Sequence, residues 1–325
     1  MQGAQAWSRC TWCVQILCAG HWEALRNTAK QQARYHALVD ILTNADLHCH
    51  SDVSDGTLTP EALAARAKAN GVELWALTDH DELGGQARAM AAAADIGLPY
   101  LTGTEISVTF AGLTVHIVGL GIDPNNTRLQ AGLAAIRGGR ESRAREMAKQ
   151  LAAVGIKGAF EGALQYVGNP DLISRTHFAR FLVESQVCSS THEVFRHYLT
   201  EGKPGFVPHQ WARLGEAVSW ITGSGGLAIL AHPARYRVTP TQEYALFSEF
   251  KAHGGLGVEV VTGSHSATEY VKYAEMAQEF ELYASRGSDF HSPEESRIDL
   301  GALPDLPGAL RPVWEAVSHR VIRPH

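Results

Sequence analysis

The sequence predicts an α/β chain: a β/α barrel interrupted by an all-helical insertion. Three observations carry this. Apolar, strand-like runs alternate with helical stretches over residues 44–122 and again over 209–325, the pattern of a mainly parallel sheet covered by helices. Between about 123 and 208 the strand-like runs vanish and helical periodicity takes over. The strand candidates number seven, which suits a barrel better than an open sheet, and they repeatedly end in histidines and carboxylates.

In order along the chain, "ADLHCH" is a short strand. "TPEALAARAKANG" is a helix, with Thr59 as cap, Pro60 at its first position and Gly71 as its stop. "VELWALTDHD" is a second strand, and a helix over roughly 84–96 leads to the strand "LPYLTGTEIS". "VTFAGLTVHIVGLGI" holds two strand-like runs about Ala111-Gly112 and reads as a hairpin. The insertion, 123–208, carries "LQAGLAAIRGGRESRAREMAKQLAAVG" and "ISRTHFARFLVESQ", and has the size of a small domain. Alternation then resumes. "GEAVSWITGSGG" leads to "LAILAHP", "YALFSEFKAHGG" to "LGVEVVTGSHS", and "TEYVKYAEMAQEF" to "LYASRGSDFHS".

With 325 residues, 45% of them hydrophobic, the chain can bury a large core. A net charge of −6 gives no global basic field, so stable duplex nucleic-acid binding is not expected and an anionic ligand needs a local cluster of cations. No apolar run approaches the roughly 18 residues of a membrane span. An odd count of five cysteines does not make a disulfide framework, which favours a reducing, cytoplasmic setting. Residues 1–43 read differently from the rest. A zinc knuckle from Cys10, Cys13, Cys18 and His21 has no common spacing, and a secretory signal is short, broken by Gln15 and without a cleavage site. A leader of uncertain structure is the reading preferred there.

The polar residues at strand ends carry the functional argument. They are His48 and His50; Asp79, His80 and Asp81; Glu105; His116; His232; Glu259 and His265; Asp289 and His291. In a β/α barrel the C-terminal strand ends open on one face, so residues distant in sequence converge there. Alternate residues share a strand face, which pairs His48 with His50 and Asp289 with His291, and sends Cys49 to the opposite side. Singly, each has a bland reading as a hydrogen-bonded core residue or a turn. Together they exceed what one zinc ion uses, and Glu105 is the best-placed carboxylate to bridge two ions. Mixed imidazole and carboxylate donors suit manganese, iron or zinc better than calcium or magnesium.

At these residues a family resemblance becomes specific. "DLHCHS", "TDHD", "GTEIS", "VHIVGLG", "AHP", "GSHS" and "GSDFH" resemble, in order, the motifs of the PHP (polymerase and histidinol phosphatase) family. "SRTHFARFLVES" and "EGKPGFVPHQ" are similar to the bacterial subgroup acting on 3′,5′-nucleoside bisphosphates and the 5′ ends of short RNA. The resemblance implies a distorted seven-stranded barrel (44–122 and 209–325) holding three divalent ions, manganese first, with iron or zinc as alternatives. One ion would take His48, His50, Glu105 and Asp289; a second Asp55, His80 and His291; the third Glu105, His116 and His232. Asp46, Asp79 and Asp81 would orient ligand histidines. The turn "SDVSDG" is shorter than the family pattern, and Asp55 is carried across that difference.

Donor set and resemblance together lead to the expectation of a phosphomonoesterase acting on a small anionic nucleotide. A metal-bridging hydroxide would attack phosphorus in line, with no side-chain nucleophile. Arg140, Arg143, Arg175, Lys203 and His265 are the candidates to hold the substrate's phosphates. Another phosphatase of the family, such as one for histidinol phosphate, and an amidohydrolase on a similar barrel remain as alternatives. A non-catalytic module is disfavoured by the intact donor set. The oligomeric state is not read from the sequence.

Overall fold

In a computed structural model of the chain, residues 44–307 and 310–324 are described; the leader reading of 1–43 lies outside them. The sheet runs β1 (Ala45–Asp46), β2 (Leu74–Leu77), β3 (Tyr100–Phe110), β4 (Leu113–Leu120), β6 (Leu227–Leu230), β7 (Gly257–Thr262) and β8 (Tyr283–Gly287). A short β5 (Ala212–Arg213) pairs with the far end of β3. The two edges of this order meet. Leu47 N donates to Arg286 O at 3.1 Å, Asp289 N to His48 O at 2.8 Å and His50 N to Phe290 O at 2.8 Å. The seven-stranded, barrel-like sheet expected from the sequence is therefore present.

Not every strand is parallel. β4 runs antiparallel to both β3 and β6. The hairpin turns at Ala111-Gly112, as read from the sequence, with both residues at positive φ. Its strands are long enough to project past the barrel rim, so Glu105 and His116 lie within strands and not at their ends. The rim level is set by the bridge between His80 and Glu105.

Helices cover the outside. Helix α1 (Pro60–Ala69) begins as expected, Thr59 accepting a hydrogen bond from Ala62 N, and stops before Gly71 at φ 79°. Helix α2 (Gln86–Asp95) starts two residues later than the expected 84, with Gly85 at its N-terminus and no capping side chain. Helix α3 (Thr127–Arg137) lies in the expected insertion, yet its Leu129, Leu133 and Ile136 join the barrel's core cluster with Leu214, Val218 and Ile221. Helices α4 (Arg140–Ala153), α5 (Ala159–Leu164) and α6 (Arg175–Glu184) share a different cluster, including Met147, Leu151, Phe160, Phe178 and Leu182. This helical segment thus has an apolar core of its own beside the barrel.

The closing seam lies directly against the polar cluster. A Cβ on Gly287 of β8 would sit 2.4 Å from His48 Cβ and 2.7 Å from His48 N. Gly287→Ala should therefore force β1 and β8 apart and lower the unfolding free energy by about 1–3 kcal/mol, read from denaturant unfolding. A second expectation concerns His177, fully buried and capping α6 through its Nδ1, which accepts from Ser174 N at 3.0 Å. Burial pushes its pKa down to about 4 from an ordinary 6.5, with Asp55 working against the shift. The neutral ring's contribution is present above pH 6.5 and is lost as pH falls toward 4. Across that interval the wild type should lose stability more steeply than His177→Gln in parallel urea melts.

Candidate metal centre and anion cavity

Glu105 is the hub of the rim. It is 1% exposed, on the β3 face it shares with Ser107, and Ser107 lies opposite His116 in the hairpin register. Oε1 lies 2.8 Å from His232 Nε2 and 2.9 Å from His116 Nδ1. Oε2 lies 2.9 Å from His80 Nδ1, 3.3 Å from His50 Nε2 and 3.4 Å from His48 Nε2. Five imidazoles around one carboxylate are more than its lone pairs can serve.

The outer carboxylates each divide their two oxygens. Asp289 Oδ2 accepts from Arg235 at 2.7 Å, while Oδ1 faces His50 at 3.2 Å and His48 at 3.5 Å. Asp55 Oδ1 faces His291 at 3.4 Å, His50 at 3.9 Å and His80 at 4.0 Å. Burial alone would raise the pKa of Asp55, but His80 and His291 hold it well below the usual carboxylate range.

Backbone conformation concentrates strain at this rim. Asp81, His232 and Asp289 adopt φ of 51°, 26° and 54°. Such conformations cost about 1–3 kcal/mol each and persist where the surroundings over-determine them. Here they are held by Ser107 and Arg140 on the Asp81 carboxylate, by Glu259 on His232 N, and by His48 O on Asp289 N.

The donor set fits divalent cations. His50 Nδ1, Asp55 Oδ1, His80 Nδ1, Glu105 Oε2, His232 Nδ1 and Asp289 Oδ1 are buried and make no hydrogen bond, and buried polar atoms are seldom left so. His48 Nε2 and His50 Nε2 face each other at 3.2 Å. Four overlapping groups have donor atoms mutually within 4.8 Å: His50, Asp55, His80 and His291; His48, Glu105 and His232; His48, His50 and Asp289; His80, Glu105 and His116. All nine expected donors are thus brought together. The grouping differs from the expected one. His50, whose ring stacks between His80 and His291 at 4.4 and 4.2 Å, also joins Asp55, His80 and His291. Glu105 groups with His48 and His232 and with His80 and His116, not with His48, His50 and Asp289 or with His116 and His232.

The expected orienting carboxylates behave differently. Asp79 accepts from Ser51 N, Ser51 Oγ and Ser54 Oγ and so braces the turn before Asp55. Asp46 accepts from Ser288 N and Gly301 N, and Asp81 from Ser107 and Arg140. These partners are backbone, hydroxyl and guanidinium groups, not imidazoles. The carboxylate that does orient a histidine is Glu259, whose Oε1 accepts from His48 Nδ1 at 2.7 Å, leaving Nε2 as the lone pair toward the cluster. Its Oε2 accepts from His232 N at 2.7 Å. The sequence places Glu259 near a strand end, whereas it lies inside β7, at the third of six residues.

Of the expected phosphate contacts, three converge. A cavity of about 90 Å³ beside the cluster is lined by Arg140, Arg143, Arg175 and Arg235, together with Asp55, His80, His116 and His291. Arg140 and Arg143 are 5% and 8% exposed, and both guanidinium groups lie over Trp211, at 4.8 and 5.5 Å. Burial and the neighbouring Arg175 and Arg140 push Arg143 down to about 9; burial, Arg235 and Arg140 push Arg175 down to about 10. Like charges held this close ask for an anion. Lys203 lines a separate open cleft of about 870 Å³ with Arg196, Arg237 and Arg297, reached past Arg235 and His291. His265 is a correction: its Nδ1 donates to Val260 O at 3.1 Å, its Nε2 accepts from Ala234 N at 3.3 Å, and its ring stacks on Tyr273. With both nitrogens committed to backbone it is a packing residue.

The comparisons with known proteins agree with this site. The PHP domain model matches residues 46–154. The chain is 52% identical to the 3′,5′-nucleoside bisphosphate phosphatase of Chromobacterium violaceum, over 87% of this chain and 99% of that protein. It is 40% identical to the 5′-3′ exoribonuclease Rnm of Escherichia coli, over 83% and 92%. Among solved structures, an amidohydrolase from C. violaceum with bound sulfate and no metal superposes with a TM-score of 0.85 at 52% identity, covering 87% and 98%. A protein from Bifidobacterium adolescentis, assigned as a metal-dependent phosphoesterase, superposes at 0.71 with 27% identity, covering 84% and 94%. With relatives this similar along nearly their whole length, the chain belongs to the PHP family.

Proposed function

We propose that the chain is a metal-dependent phosphomonoesterase that removes the 3′-phosphate of 3′,5′-nucleoside bisphosphates. One observation carries the reading: a buried, anion-seeking arginine cavity directly abuts the carboxylate–imidazole cluster, which would itself attract an anion once divalent ions fill it. A ligand with two phosphates would satisfy both at once. The name of the C. violaceum relative supports the same substrate.

His48, His50, Asp55, His80, Glu105, His116, His232, Asp289 and His291 are the proposed ligands of three divalent ions, manganese first. When bound, the ions would activate a water and neutralise the reacting phosphate's oxygens. Glu259 fixes the His48 tautomer, and Arg235 holds one Asp289 oxygen, so that each donor presents a chosen atom. Arg140, Arg143 and Arg175 are the proposed clamp on the second phosphate, desolvated enough that each charged hydrogen bond counts. The accessible edges of the cluster belong to His80, His116 and His291, at 16, 15 and 19% side-chain exposure, and they face this cavity. The proposed organisation is a catalytic barrel (44–122 and 209–325) carrying a helical substrate segment. A cytoplasmic location is proposed with it, supported by Cys49 and Cys188, which are free thiols. No described helix is long and apolar enough to cross a membrane.

A second reading, hydrolysis at the 5′ end of short RNA, is favoured by the open cleft. Arg196, Lys203, Arg237 and Arg297 would line the path of a following nucleotide chain, and relatives named as 5′-3′ exoribonucleases match over 83% of this chain. An amidohydrolase reading is less well supported, since the central bridging position is a glutamate.

Manganese-loaded protein should release phosphate from adenosine 3′,5′-bisphosphate far faster than from histidinol phosphate or AMP; equal rates would remove the substrate assignment. Arg175→Ala should lower kcat/KM for the bisphosphate on the order of tenfold to a hundredfold, the equivalent of one charged hydrogen bond, measured by steady-state phosphate release.

A further inference from the structure

Asp55 sits in a tight turn. Gly56 N donates to Ser51 O at 2.8 Å, and a Cβ on Gly56 would fall 2.1 Å from His50 O. Asp79 fixes the turn from the barrel side through Ser51 and Ser54. Among the described residues, no barrel group hydrogen-bonds the Asp55 carboxylate's outer oxygen. That contact comes from the helical segment, where Thr176 Oγ1 donates to Asp55 Oδ2 at 2.9 Å and Ser174 Oγ at 3.4 Å. Arg180 Nη2 donates to Asp55 O at 2.7 Å and also pairs with Glu295 on the turn after His291. Gly168 packs against the same loop, for a Cβ there would lie 2.5 Å from Asp52 O.

The division of labour within Asp55 is therefore complete. One oxygen is committed to a hydroxyl of α6; the other is buried, unpaired and aimed at His50, His80 and His291. Among the described residues, the hydrogen bonds of His48, Glu105 and His232 by contrast go to barrel residues. We propose that Thr176 is a positioning residue of the metal centre. Its hydroxyl sets the Asp55 carboxylate, so the ion shared by His50, Asp55, His80 and His291 is retained only while the helical segment is docked. The segment proposed to select substrate then also completes the metal set. This rests on the metal-centre reading and not on the identity of the substrate.

The test compares wild type, Thr176→Val and Thr176→Ser, each stripped with chelator and titrated with Mn²⁺. Bound ions are counted by mass spectrometry after gel filtration, and affinities are read by calorimetry. Thr176→Val should hold one ion fewer, or bind it about 10–100-fold more weakly, as loss of an outer-shell partner typically does. The remaining ions should be retained, and Thr176→Ser should restore the full count. Thr176→Ala serves if the valine variant does not fold, which circular dichroism in chelator would show. An unchanged ion count and affinity in the hydroxyl-less variant overturns the proposal. Wild type that binds no Mn²⁺ overturns the metal-centre reading and this proposal with it. Failure on bisphosphate substrates with the predicted ion loss intact would touch the substrate assignment alone.

Discussion

A single buried carboxylate with five imidazole nitrogens inside 3.4 Å organises this protein. Burial disfavours the charged form of Glu105, and the imidazoles of His80, His116 and His48 outweigh it, holding the carboxyl well below its ordinary range. An ionised carboxylate at 1% exposure needs compensation, and crowded imidazoles leave lone pairs facing one another. Divalent cations held by these residues would neutralise the carboxylates and turn opposed lone pairs into shared ligation. The constraint propagates outward. The barrel has to close at a glycine beside His48, three non-glycine rim residues accept positive φ, and Glu259 is spent on fixing a ring and a backbone amide.

Around this hub the anion cavity is built with the opposite charge logic. Arg140 is tied to Asp81, which also braces β3 through Ser107, so the guanidinium is fixed to the same frame as Glu105. Trp211, brought in after the helical segment, supplies a face for Arg140 and Arg143. Carboxylates gather on the barrel side, and the guanidinium groups of Arg140, Arg143 and Arg175 on the segment side. A ligand between them meets cations from both directions once the metal positions are filled.

Much of this was legible in the sequence. Alternating runs gave the barrel, and donors recurring at strand ends gave eight of the nine cluster residues among others, because barrel geometry converts sequence periodicity into one shared rim. The choice among them, and Asp55 itself, came from the family resemblance. What was not legible depends on pair contacts between distant segments. Glu259 and His265 looked equivalent at the end of one strand; only the fold shows that Glu259 turns toward His48 while His265 lies past the turn, bonded to backbone. Asp46, Asp79 and Asp81 carry the composition of orienting groups, but their partners are set by loop packing that spacing does not reveal. Glu105 and His116 lie within strands because the hairpin outgrows the barrel. Spacing alone does not show that Arg140 and Arg143 are buried, since Trp211, many residues downstream, covers both.

The most direct measurement is a crystal structure grown with Mn²⁺ and phased to show anomalous scattering at the manganese edge. The account predicts more than one anomalous peak, with both oxygens of Glu105 within coordination distance of an ion and the flanking peaks bounded by Asp55 and Asp289. Anomalous density on only one side of Glu105, or none at the rim, would contradict it.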